Sequence, residues 1–231
     1  MRNARTGFTL IELLVVIAMI GALAAMLFPA ITRARASSRT IICSSNLREL
    51  GHALALYMDD RDDFIPRRGQ GVRKLFRIDR MSDWFNCLPP YAGEPPYLER
   101  FAAKGKFKEG EDSIMVCPEA TDPGWLHFLS YGMNIYLSPW IRPVPHRITE
   151  IPVPSRTVFL ADAPGPYSST VPSSKPYGVV ARHLGRANIC FLDYHVEAFD
   201  GVYLGCGQGD PGRDDVRWQT GTGGINQLPV E

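Results

Sequence analysis

From Phe8 to Phe28 the chain is apolar with one ionisable side chain, Glu12. At about 1.5 Å rise per residue, a helix of that length crosses the roughly 30 Å hydrocarbon core of a bilayer. Arg2 and Arg5 precede the run, while Arg33, Arg35 and Arg39 follow it, so basic residues flank both ends and set no orientation. A carboxylate near the centre of such a span costs about 2.5–3.5 kcal/mol and signals function. Glu12 lies only one turn in from Phe8, where the cost is smaller. Were the chain cut before Phe8, the new α-amino group would lie one turn from Glu12, and the amine of a neighbouring copy would neutralise the carboxylate as helices stack. A second reading stays open on composition alone: the basic start, apolar middle and Ala22-Leu23-Ala24 also suit a secretory signal peptide, releasing a soluble chain after Ala24.

The segment Gly7-Phe8-Thr9-Leu10-Ile11-Glu12-Leu13-Leu14-Val15-Val16-Ile17-Ala18 closely resembles the cleavage and methylation segment of type IV prepilins and type II secretion pseudopilins. The resemblance implies that prepilin peptidase cuts between Gly7 and Phe8 and N-methylates Phe8, and that Glu12 guides assembly. Pro29 falls where many such proteins carry a helix-loosening proline. The implied organisation is a leader at 1–7, a transmembrane helix at 8–28, an amphipathic stalk at 29–63 and a pilin-like globular domain at 64–231. The implied partners are the peptidase, inner-membrane lipid and like or related pilin subunits. The expected location is the inner membrane, single-pass, with the C-terminal domain outside the cytoplasm. The implied fold is α+β, a long N-terminal helix packed on a small antiparallel sheet.

The stalk carries its own signal. Leu47, Leu50, Leu54 and Tyr57 recur at spacings of three, four and three, a stripe on one helix face. It ends at Asp59-Asp60-Arg61-Asp62-Asp63, which lacks the alternating ligands and glycine of a calcium loop and is expected to be a solvated helix end. Beyond residue 65 prolines and tryptophans are scattered, and short strands and turns are expected rather than long helices. Ile114-Met115-Val116 suggests a short strand before Cys117, Ser130–Asn134 a turn, Thr157–Ala161 a strand, and 164–176 an exposed Ser/Pro-rich loop. Val179–Ala181 suggests a further strand. Asn188–Leu192 and His195–Phe199 flank Asp193-Tyr194 as a hairpin with a two-residue turn, although tyrosine suits positive φ poorly. Trp218 is expected to pin back the Gly- and Asp-rich tail.

The hairpin region, 179–200, carries a second resemblance. Arg182-His183-Leu184-Gly185, Asn188, Phe191, Asp193 and His195-Val196 are similar to the prepilin-associated segment named for a histidine, nine residues and Asp-Gly. Tyr194 stands where that segment has glycine. Cys43–Leu47, Cys117-Pro118 and Tyr131–Asn134 resemble further landmarks of such proteins.

With 25 basic and 24 acidic side chains and a net charge of +1, the chain lacks the basic excess that nucleic-acid binding needs. Asp162, His183, Asp193 and His195 are candidate ligands for Ca2+ or another divalent ion, set against a purely structural role in the hairpin. No cofactor is expected. Cys190 and His183 offer a nucleophile and a base, but Cys190 sits in an apolar strand where thiols are inert, and no catalytic fingerprint is present, so no enzyme activity is expected. The cysteines are Cys43, Cys87, Cys117, Cys190 and Cys206, an odd count without a CxxC pair. Cys43 with Cys117 is the candidate disulfide, two buried thiols the alternative.

Overall fold

The lower half of the first helix carries the stripe that organises the domain. The computed structural model describes residues 10–70, 74–138, 146–170, 178–202, 204 and 215–218. Helix α1 runs over Leu10–Asp59 and continues through Pro29. The chain divides into two units, Met1–Ser38 and Arg39–Glu231. Within the second unit, Cys43, Leu47, Leu50, Ala53, Leu54, Tyr57 and Met58 are buried on one face of α1, so the predicted stripe is the core face.

Helix α1 ends at Asp59 in an exposed turn, as its acidic run suggests. Asp62 and Asp63 adopt φ of 49° and 66°, a left-handed region that aspartate tolerates better than most residues. The Asp63 N–H returns to the Met58 carbonyl and closes the end.

Five strands form one sheet: β1 Tyr131–Asn134, β2 Val158–Asp162, β3 Ser169–Thr170, β4 Arg186–Phe191 and β5 Val196–Asp200, in the order β3-β1-β2-β4-β5. Four strands pair antiparallel, and the two-residue β3 adds a parallel edge beside β1. The fold is therefore α+β, a long N-terminal helix on a small, largely antiparallel sheet. Met133, Leu160 and Cys190 join the core shared with α1. Ala187, Ile189 and Phe191, alternating along β4, face a smaller cluster with Val179, Leu204, Val216 and Trp218. A register shift between Val158 and Leu160 lets β2 serve both cores.

Several local expectations are corrected. Tyr131–Asn134 is a fully buried strand rather than a turn, its short length and glycine having hidden it. Residues 114–116 are not a strand: the Val116 N–H closes a turn on the Ser113 carbonyl, and the Ser113 and Val116 carbonyls accept from Asn46 of α1. Val179–Ala181 is not a strand; the Val180 N–H bonds back to the carbonyl of Asp162, the last residue of β2. Gly165–Ser168 is buried rather than exposed, because its carbonyls at Gly165, Pro166 and Ser168 accept from Leu129, Leu75 and the Trp84 indole. The segment between the core helix and β1 uses two short helices, α2 Trp84–Cys87 and α3 Tyr97–Lys104, around the aromatic cluster of Phe85, Tyr97 and Phe107.

Candidate functional site

The first unit is the apolar part of α1. Its large side chains, from Leu10 to Ile31, are exposed, and no other helix among the described residues is long and apolar enough to cross a membrane. Glu12 lies in the first turn. Gly7 and Phe8 lie outside the described residues.

The second unit holds a buried polar cluster where four segments meet. Thr40 and Cys43 come from α1, Cys117 and Glu119 from the turns after residue 113, Asp162 from the end of β2, and Arg182 and His183 from the approach to β4. Cys43 and Cys117 form a disulfide across a sequence separation of 74, with Cα atoms 5.1 Å apart. Asn46, one turn beyond Cys43, donates to the Ser113 and Val116 carbonyls and holds the same loop on the helix. Glu94 fixes it from the other side through the Ser113 hydroxyl and the Ile114 N–H.

His183 is aimed into this junction by a tight turn. Its backbone exchanges both hydrogen bonds with Arg186, and the two residues between, Leu184 and Gly185, have φ of 52° and 84°. That is the pattern of a two-residue hairpin turn with both central residues left-handed. The imidazole Nδ1 lies 3.0 Å from Glu119 Oε2 and 3.4 Å from Thr40 Oγ1. Nε2 lies 3.5 Å from Cys117 Sγ and 3.4 Å from Asp162 Oδ2. Asp162 is fully buried; its Oδ2 accepts the Asn188 N–H at 2.7 Å, and its Oδ1 lies 3.7 Å from Arg182 Nε. The Tyr131 phenol donates to the Cys43 carbonyl, and burial together with the Asp162 carboxylate pushes its pKa far up, so it stays a neutral donor.

The four sequence-predicted ligands separate into two pairs. Asp162 and His183 meet at the start of β4, whereas Asp193 and His195 hydrogen-bond to each other in the loop after its far end, at the surface. They do not form one site. Cys190 is buried among apolar groups, and burial, then Asp193, raises its pKa far above a reactive range. His183 meets Cys117 instead. Thr40 and Glu119 were missing from the candidate set; their only signal is proximity in sequence to the two cysteines.

A family model described as the prokaryotic N-terminal methylation motif matches residues 2–28. Its N-terminal segment is prepilin-like. Neither the curated proteins nor the solved structures yield a match. The motif and the exposed apolar helix together fit a single-pass membrane anchor. In this prepilin-like chain the hairpin turn is not the two-residue type expected at Asp193-Tyr194. The Phe191 N–H bonds to the His195 carbonyl and the Tyr194 N–H to the Phe191 carbonyl, enclosing three residues with Tyr194 at φ 74°. The loop is thus a type I turn closed by a left-handed residue, the position where glycine is the ordinary choice. His195 stacks on Phe191 at 4.3 Å, on the side of the sheet away from α1.

Proposed function

We propose that this chain is a structural subunit of a type IV pilus-like or type II secretion pseudopilus-like assembly. The observation that carries the reading is the methylation motif at 2–28 running directly into α1. Prepilin peptidase cuts between Gly7 and Phe8 and methylates the new N-terminus. The mature chain waits in the inner membrane with its C-terminal domain outside the cytoplasm, then packs its apolar helix against like or related subunits. Close packing of the apolar helices, which keeps their surface from water in the polymer, holds it together. Glu12 of one subunit, neutralised by the Phe8 amine of the next, sets the register, since an unpaired carboxylate in hydrocarbon is costly. The chain's role is scaffolding rather than catalysis: the thiol nearest to a catalytic description, Cys190, is buried and protonated.

The test is mass spectrometry of the N-terminus of protein from its native membrane. A chain starting at N-methylated Phe8 supports the reading; one starting at Ala25 overturns it in favour of a secreted soluble domain. A Glu12→Ala chain is then expected to insert and be cut but to fail to enter filaments.

A further inference from the structure

The geometry points to a zinc-type metal site on the reduced form of the Cys43–Cys117 pair, with His183 as its third ligand and the Asp162 carboxylate beside the imidazole. The two sulfurs and an imidazole nitrogen of His183 all lie within 4.8 Å of one another in buried surroundings. The supports around His183 match what a metal-binding histidine needs. Glu119 Oε2, an acceptor 3.0 Å from Nδ1, would hold a proton there when Nε2 binds a metal. Nε2 then faces two further electron-rich atoms, Cys117 Sγ at 3.5 Å and Asp162 Oδ2 at 3.4 Å. Asp162 Oδ1 is fully buried without a hydrogen-bond partner, 3.7 Å from Arg182 Nε.

The two spacings around Nε2 match edges of a tetrahedral site. With Zn–N near 2.05 Å, Zn–S near 2.3 Å and Zn–O near 2.1 Å, the N···S edge is roughly 3.6 Å and the N···O edge roughly 3.4 Å. The spacings around Nε2 are 3.5 Å and 3.4 Å. The two sulfurs must part from a covalent bond to roughly 3.8 Å, the S···S edge of the same tetrahedron.

The chemistry balances with a phosphine reductant. The phosphine takes an oxygen from water and becomes its oxide, and the S–S bond breaks to give two thiols, which receive the two electrons and two protons. Zn2+ then binds both sulfurs as thiolates and releases two protons to solvent.

The full chain in detergent, reduced with a water-soluble phosphine under nitrogen, is titrated with Zn2+ and with Co2+. One equivalent of Zn2+ is expected per reduced chain and less than a tenth per oxidised chain, with Co2+ giving the visible bands of a tetrahedral site and a sulfur-to-metal band in the near ultraviolet. Cys117→Ser and His183→Gln should each weaken binding at least tenfold, while Cys87→Ser leaves it unchanged. Near-ultraviolet circular dichroism reports folding. A reduced chain that folds only when Zn2+ is added supports the site. Less than a tenth of an equivalent bound by the reduced chain, folded or not, overturns it, as does full binding that His183→Gln leaves intact. Because the test needs no membrane or filament, its failure leaves the assembly reading standing, and an N-terminus at Ala25 leaves the metal site standing.

Discussion

Gly51 of α1 lies directly under Tyr194 of the hairpin loop: a methyl group placed on Gly51 would sit 3.3 Å from both Cα and Cβ of Tyr194 and 3.1 Å from Cys190 Sγ. The helix and the loop approach this closely because Gly51 has no side chain. Tyr194 in turn accepts a left-handed φ while its ring packs on the main core. Gly51→Ala normally favours a helix by about 1 kcal/mol. Here the atoms that must yield belong to a tight loop backbone, and overpacking costs about 1–3 kcal/mol. The expected net effect is a loss of roughly 1 kcal/mol, and Gly51→Val should lose more; thermal unfolding of the two variants in detergent checks the order.

Opening the Cys43–Cys117 bond by reduction without added metal, or replacing both residues by serine, should lower stability by about 4 kcal/mol on the loop-entropy model for a separation of 74. Denaturant titration with and without reductant measures the difference, and an unchanged midpoint would contradict the assigned bridge.

Asn134 holds the end of β1 with three bonds. Its side-chain amide donates to the Val158 and Trp218 carbonyls, and its oxygen accepts the Tyr136 N–H. Asn134→Ala leaves buried backbone groups unpaired and is expected to cost about 2 kcal/mol. It should also free the segment around Trp218, which faster hydrogen exchange of the Arg217 N–H, bonded to Arg156, would report.

His127 is buried beside Phe101, its Nδ1 3.1 Å from the Tyr97 hydroxyl, and burial lowers its pKa to about 4. The unfolded chain therefore binds a proton near pH 6.5 that the folded chain refuses until about pH 4. The associated stability is complete above pH 6.5 and is lost as the pH falls towards 4. Asp83 acts in the opposite sense, because burial raises its pKa to about 6, so the folded state gains stability from it as the pH falls through that value. His127→Gln should flatten the acid limb of the stability curve relative to the unsubstituted chain, with the two curves parallel above pH 7. Parallel curves down to pH 4 would refute the assignment.

The stripe Leu47, Leu50, Leu54 and Tyr57 was legible because helical periodicity depends on local spacing alone, and strands β2, β4 and β5 because they are continuous apolar or alternating runs. Tyr131–Asn134 and Gly165–Ser168 were not, since their burial is set by partners far along the chain, such as Asp162 opposite Tyr131 and Trp84 against Ser168. The site shows the same division. The resemblance around His183 singled out that residue, but Thr40 and Glu119, which flank its Nδ1, carry no pattern of their own. The grouping of Asp193 and His195 with Asp162 and His183 failed because β4 places the pairs at its opposite ends.

The bridge between Cys43 and Cys117 also decides which part of the chain bears a load. Tension applied between the two ends passes from Cys43 through the sulfurs straight to Cys117. The residues from 44 to 116, including the last turns of α1 and both short helices, form a closed bypass that carries none of it. A subunit pulled along its N-terminal helix would therefore stretch, if at all, before Cys43 or beyond Cys117, and breaking this one covalent link would put the bypass under strain too.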